Sequence, residues 1–144
     1  MTNKEFYDRK EELALLKDKY VNLSSGNMTV IYGRRRVGKT ELVKQFLKSV
    51  PNHFYFYVEV SEKKGILDSL SKSVSEQLKE NKKFNDFYEF LDYMGSKSEK
   101  EPFVLVIDEF QRFLGIAPEY ITNLQNAWDS KLKNKKIMIL LLGS

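Results

Sequence analysis

The chain alternates short apolar runs with segments in which apolar residues recur every three or four positions. The first such segment, FYDRKEELALLKDKY, predicts a helix with Asp8 as its N-cap and Glu11 three residues later. Leu13, Leu16 and Tyr20 then form one face of that helix.

Four further runs are rich in apolar, aromatic or β-branched residues and predict strands: MTVIY at 28–32, HFYFYVEV at 53–60, FVLVI at 103–107 and KIMILLLGS at 136–144. Helical spacing predicts helices between them: 39–50, 66–78, 85–94 and 119–133, the last with Leu132 inward. Continuous apolar runs are typical of strands buried on both faces of a parallel sheet. The pattern therefore predicts an α/β sandwich around a parallel sheet with right-handed crossovers.

Composition narrows the class of protein. A chain of 144 residues is the size of one domain, and 42% apolar residues exclude a disordered polar chain. The longest apolar run, IMILLL, is far shorter than the ~20 residues of a membrane helix, and the charged N-terminus does not resemble a signal peptide. We expect a soluble cytoplasmic protein without membrane partners. The net charge of +4 comes largely from scattered lysines, which we interpret as solvated surface.

The first strand runs directly into a motif with specific chemistry. Gly33, Gly38, Lys39 and Thr40 match G-x-x-x-x-G-K-[ST], in which glycines let backbone amides curl around a phosphate. The lysine reaches the β- and γ-phosphates, and the threonine hydroxyl is suited to Mg²⁺. The strand before the motif and the helix after it favour a phosphate-binding loop over a glycine-rich turn with solvated arginines.

A pair of carboxylates ends the third strand. Asp108 closes the run VLVID, where a carboxylate completes the Mg²⁺ site of phosphate-loop enzymes. Glu109 follows it and is suited to orient and deprotonate an attacking water. The alternative is two acidic residues in an exposed loop.

The aromatic residues 54–57 of the second strand are interpreted as core rather than as a surface that stacks on nucleic-acid bases.

Together these segments resemble a known family. FYDRKEEL, GRRRVGKTEL, VLVIDEFQ and the terminal GS are similar to the archaeal-type ATPases of the STAND class, relatives of the AAA+ ATPases. The resemblance covers essentially the whole chain. It implies a P-loop NTPase fold, a three-layer α/β/α sandwich with sheet order 5-1-4-3-2, Walker A and Walker B motifs, and ATP as the nucleotide.

The resemblance also implies roles for individual residues. Ser144 takes the sensor-1 position, where a polar side chain helps to position the water or the γ-phosphate, and Gln111 lies in the same region. At least one of the three arginines of the phosphate loop holds phosphate charge or a carboxylate. The residues expected at the nucleotide are Phe6, Tyr7, Arg9, Gly33, Arg34, Arg35, Arg36, Val37, Gly38, Lys39, Thr40 and Glu41.

The family continues beyond its fourth strand with a fifth strand, a helical lid and commonly a winged-helix DNA-binding module, whereas this sequence runs to Ser144. We therefore expect an incomplete AAA+-like domain over residues 1–144, with any DNA binding carried by the missing part. The first strand would lie at a sheet edge, open to a second copy or a partner chain. No arginine finger is assigned, and Arg112 is interpreted as surface.

The expected function is Mg²⁺-dependent hydrolysis of ATP to ADP and phosphate, with Glu109, Lys39 and Ser144 as catalytic residues and Thr40 and Asp108 as metal ligands. Two alternatives remain open. One is a module that binds nucleotide with little or no turnover. The other is a phosphate-loop kinase, which the adjacent carboxylates disfavour.

Overall fold

The computed structural model describes residues 2–33, 38–59 and 61–144, with side chains described from residue 10 onward. The strands are β1 (Asn27–Tyr32), β2 (His53–Tyr57), β3 (Phe103–Asp108) and β4 (Ile137–Gly143). The helices are α1 (Thr2–Val21), α2 (Lys39–Leu47), α3 (Lys63–Leu78), α4 (Phe87–Ser96), α5 (Phe113–Ile116) and α6 (Glu119–Ser130). Short 3-10 turns occupy Phe110–Arg112 and Leu132–Asn134.

The four strands form one parallel sheet in the order β1-β4-β3-β2. This is the 1-4-3-2 part of the order expected from the resemblance, and it is confirmed. Every residue of the central strands β3 and β4 is buried, as their continuous apolar sequences predict. Because all strands are parallel, their carboxyl ends meet along one edge, where ligands bind in open α/β sheets.

Helices cover both faces of the sheet and produce two separate apolar clusters. One cluster lies between the sheet and α3, α4 and α6, with Phe54, Leu70 and Phe90 among its buried members. The other lies between the sheet and α1 and α2, with Leu16 and Phe46 among its buried members. The expected three-layer α/β/α sandwich is confirmed.

The two edges of the sheet differ. At the β2 edge, the Gln77 side chain takes the place of a further strand: its Oε1 accepts from the Tyr55 amide (2.9 Å) and its Nε2 donates to the Tyr55 carbonyl (2.7 Å). At the β1 edge, Val30 is 49% and Tyr32 67% exposed, and the described residues supply no further strand. The predicted edge position of the first strand is therefore observed.

Several predicted boundaries shift. Helix α1 begins at Thr2, so Asp8 is not its N-cap, because no breaker precedes it. Strand β2 ends at Tyr57, since β3 stops at Asp108 and Glu109 turns away with a positive φ of 58°. Leu132 is buried as predicted, but it lies in a 3-10 turn beyond α6, because Lys131 leaves helical geometry.

The turn at Phe110–Arg112 and α5 were not predicted, because their apolar residues are too few to establish a period. No helix in the described part of the chain combines the length and the apolar character needed to cross a bilayer.

Candidate functional site

The predicted chemical groups lie at the carboxyl ends of three strands. Gly33 follows β1, Asp108 ends β3 with Glu109 immediately after it, and Ser144 follows β4. Strand order explains the convergence, since β4 lies between β1 and β3. Residues more than 30 positions apart in the sequence thus become neighbours.

The end of the phosphate loop and the start of α2 form the first part of the site. Gly38 has a φ of 74°, a left-handed conformation that glycine adopts without steric cost, and its carbonyl accepts the first helical hydrogen bond from Leu42 (2.9 Å). Lys39 is buried, and its Nζ donates to the Gly33 carbonyl (3.0 Å). The ammonium group therefore lies at the residue that follows β1. Glu41, also predicted at the nucleotide, is exposed in the first turn of α2.

Some predicted nucleotide contacts lie outside the described residues. These are the loop residues Arg34, Arg35, Arg36 and Val37, and the side chains of Phe6, Tyr7 and Arg9, whose backbone belongs to α1. Their assignments remain predictions.

Asp108 is the most deeply buried charged group of the site, at 1% exposure. Its Oδ2 accepts from the Thr40 hydroxyl (2.7 Å) and from the Tyr55 hydroxyl, and its Oδ1 accepts from the Glu109 amide (2.8 Å). A buried carboxylate needs such donors, because an unpaired charge is strongly disfavoured away from water. The predicted metal pair Thr40 and Asp108 is thus in direct contact.

Tyr55 is interpreted as core from the sequence, which does not predict its contact with Asp108. Burial raises the pKa of the Tyr55 hydroxyl, and the hydrogen bond to Asp108 raises that pKa further. The group therefore remains a neutral donor at physiological pH. Only the pairing of β2 with β3 could have revealed the contact, because the two residues are 53 positions apart.

Glu109 is buried and held by several side chains. Ser144 Oγ donates to its Oε1 (2.8 Å), Gln111 Nε2 donates to its Oε2 (2.5 Å), and Arg112 Nε lies 3.7 Å from the same Oε2. The amide of Ser144 also contacts Gln111 Oε1 (3.4 Å). The predicted base and the predicted sensor-1 residue are therefore hydrogen-bonded to each other.

Arg112 departs from its interpretation as surface. Its Nη1 donates to the Val58 carbonyl (2.9 Å), and its guanidinium lies 5.3 Å from the centre of the Tyr57 ring. Together with the contact to Glu109, these interactions tie the turn after β3 to the end of β2. The prediction missed this role because it depends on a backbone carbonyl from another strand.

The donor set suits a magnesium ion. Mg²⁺ prefers hard oxygen ligands, binds proteins through one or two carboxylates, and keeps several waters. The hydroxyl of Thr40 and the carboxylate of Asp108 supply such oxygens next to the lysine of a phosphate loop. The same edge holds a second carboxylate, Glu109, whose oxygens accept from Ser144 and Gln111.

Comparison with known proteins agrees with this geometry. Residues 6–144 match a family described as an ATPase domain predominantly from Archaea. The chain is 33% identical over 143 residues to an uncharacterized protein of Methanocaldococcus jannaschii, covering 96% of this chain and 29% of that protein. An uncharacterized ATP-binding protein of the same organism is 52% identical over 44 residues, covering 31% of this chain and 73% of that protein.

Solved structures share the fold. A Walker-type ATPase of Pyrococcus abyssi superposes with a TM-score of 0.69 at 21% identity, covering 94% of this chain and 45% of that one. The ORC2 protein of Aeropyrum pernix, in ADPNP–ADP complexes, gives 0.57 at 18% identity, covering 95% and 40%. The chain thus spans less than half of these structures and under a third of its longer curated relative. From the match over residues 6–144, this chain belongs to the family of ATPase domains found predominantly in Archaea.

Proposed function

We propose that this domain binds ATP with Mg²⁺ and hydrolyses it to ADP and phosphate. The observation that carries the proposal is the hydrogen bond between Thr40 and Asp108 (2.7 Å), formed beside the loop lysine Lys39. It joins a hydroxyl and a carboxylate suited to one magnesium ion at the end of a phosphate loop. Family membership and the ATP-binding relative support the choice of nucleotide.

Each residue has a distinct task. Lys39 leaves the Gly33 carbonyl and holds the β- and γ-phosphates, while loop amides and the start of α2 add donors. Thr40 and Asp108 hold the metal ion, which when bound neutralises charge on the phosphates. Glu109 orients the water and takes its proton. The water oxygen bonds to the γ-phosphorus as the bond between that phosphorus and the β,γ-bridging oxygen breaks, and ADP leaves.

Ser144 and Gln111 hold Glu109 in place for this step. Their donated hydrogen bonds fix both carboxylate oxygens. A carboxylate has about four lone-pair sites, so Glu109 can accept the water while it keeps both of these donors.

We extend the proposal to classification and organisation. The resemblance of the motifs favours the STAND class of these ATPases, and the single continuous sheet favours one nucleotide-binding domain over residues 1–144. The relative of which this chain spans 29% supports a larger unit that contains such a domain.

The first test is nucleotide-dependent stabilisation. Mg²⁺-ATP at about 100 times its Kd should stabilise the fold by roughly 2.7 kcal/mol, or on the order of 5–10 °C in Tm. Lys39→Ala should abolish the shift, since it removes the ammonium group. Lys48→Ala changes an exposed lysine just beyond α2 and should retain the shift.

Each variant is compared with its own melting curve without nucleotide, so that any loss of stability from Lys39→Ala does not enter the result. The proposal fails if the unsubstituted domain shows no shift, or if Lys39→Ala shifts as much as Lys48→Ala.

A further inference from the structure

Tyr55 belongs to β2, on the face of the sheet that carries α1 and α2. In the register with β3 it lies opposite Val106, whereas Asp108 lies opposite Tyr57. Tyr55 and Asp108 are therefore diagonal neighbours on adjacent strands, a separation that an aromatic side chain can span. The register places a phenol within reach of the proposed metal ligand.

The carboxylate of Asp108 has about four lone-pair sites. Among the described residues, three donors take three of them: the hydroxyls of Thr40 and Tyr55 at Oδ2 and the amide of Glu109 at Oδ1. A threonine hydroxyl can bind a metal through its oxygen while still donating its proton to a carboxylate. The Tyr55 bond is therefore compatible with a metal beside Thr40 and does not have to break.

The backbone of Tyr55 is also fixed by hydrogen bonds, which helps to position its hydroxyl. Gln77 fixes both the amide and the carbonyl of Tyr55 at the sheet edge. The Tyr55 ring is partly buried on the face of the sheet that carries α1 and α2, and Lys44 Nζ lies 5.5 Å from the centre of that ring. Because these contacts already restrict Tyr55, its hydroxyl can orient the Asp108 carboxylate with little further loss of side-chain entropy.

We propose that Tyr55 is a positioning residue for the metal–nucleotide site, holding the Asp108 carboxylate against Thr40 so that both oxygens are already arranged for Mg²⁺. The inference rests on the proposed function. Its chemistry is a neutral hydroxyl donating to a carboxylate, and Tyr55 acts on the site through Asp108.

The test separates metal-dependent from metal-independent binding. Affinity for a fluorescent ATP analogue is measured across a Mg²⁺ titration and again with excess chelator. Tyr55→Phe keeps the ring and removes one oxygen, so the Mg²⁺ midpoint should rise at least about ten-fold, as for other groups that orient metal ligands. Affinity in chelator should stay within about two-fold.

Tyr93→Phe is the matched control. The Tyr93 hydroxyl likewise donates to a carboxylate, that of Glu80, and its ring packs on the face of the sheet opposite α1 and α2. Loss of that bond should leave the Mg²⁺ midpoint unchanged. Tyr55→Met, which keeps apolar volume without the hydroxyl, should reproduce the Tyr55→Phe midpoint and guards against an effect peculiar to phenylalanine.

Each outcome bears on a different claim. An unchanged or lower Mg²⁺ midpoint in Tyr55→Phe overturns the inference and leaves the proposed function standing. The inference is also overturned if Tyr55→Phe weakens binding equally in chelator, because the residue would then support the fold alone. Absence of any Mg²⁺-dependent binding by the unsubstituted domain overturns the proposed function and the inference together.

Discussion

Glu109 adopts a backbone conformation that non-glycine residues rarely use, with φ 58° and ψ 41°. Such a conformation is unfavourable by about 1–3 kcal/mol and persists where the surroundings impose it. Here the surroundings are visible: the Glu109 amide donates to Asp108, and its carboxylate is held by Ser144 and Gln111. The conformation turns the two consecutive carboxylates toward different partners, as the proposed roles of Asp108 at the metal and Glu109 at the water require.

At this scale we predict that Glu109→Gln separates binding from chemistry. The amide keeps the shape of the side chain but cannot take a proton, so kcat for ATP hydrolysis should fall by about 10²–10⁴-fold in the protein that carries this domain. The Kd for Mg²⁺-ATP should change by less than about three-fold. Steady-state phosphate release and equilibrium binding measure the two quantities.

Glu99→Gln serves as the control, because Glu99 is exposed in the turn before β3, at the opposite end of that strand from Asp108. If Glu109→Gln hydrolyses ATP at the rate of the Glu99→Gln control, Glu109 is not the base.

At the scale of the elements, the connection between α1 and β1 is closely packed at Gly26. Gly26 joins α1 to β1, and its amide donates to the Lys133 carbonyl (2.9 Å) in the turn after α6. A Cβ at this position would lie 2.6 Å from the Leu132 carbonyl oxygen and 2.8 Å from Lys133 Cα. Both are backbone atoms, so neither can move aside by a side-chain rotation. The contact fixes where β1 enters the sheet.

We therefore predict that Gly26→Ala destabilises the domain by about 1–3 kcal/mol, the usual range for overpacking. Gly115→Ala is the matched control, since a Cβ at Gly115 in α5 would meet nothing within 4 Å. It should be neutral or stabilise by up to about 1 kcal/mol, because alanine restricts the unfolded chain. Chemical denaturation measures both, and equal effects of the two substitutions would contradict the packing argument.

At the scale of the whole molecule, the two sheet edges have different protection. Gln77 occupies the hydrogen-bonding groups of Tyr55 at the β2 edge. The β1 edge instead presents exposed apolar residues, including Val30 and Tyr32. Unpaired backbone beside apolar side chains favours addition of another strand.

We predict that the 144-residue chain self-associates through this edge as its concentration rises. Val30→Lys should suppress the association without unfolding the domain, because Val30 is already half exposed and an edge lysine opposes strand addition. Leu114→Lys, at an exposed residue of α5, should leave it unchanged. Sedimentation velocity over a range of concentrations measures the association, and a chain that stays monomeric throughout would refute the prediction.

The sequence alone determined much of this protein. Local patterns specify the strands, most helices and the phosphate-loop motif, because hydrophobic period and glycine spacing are written in consecutive residues. The motif also predicted that Lys39 and Thr40 bind the phosphates and the metal. The two acidic residues at the end of β3 predicted Asp108 at the metal and Glu109 at the water. The sheet order followed from the resemblance of the combined motifs to a family.

Only the tertiary structure decided which residues complete the site. Tyr55 reaches Asp108 because β2 pairs with β3 in one register, and Arg112 reaches the Val58 carbonyl because the turn after β3 lies against the end of β2. Neither contact has a signature in consecutive residues, since the partners are more than 50 positions apart. Periodicity identifies the face on which a side chain lies, whereas strand order and register decide what it touches.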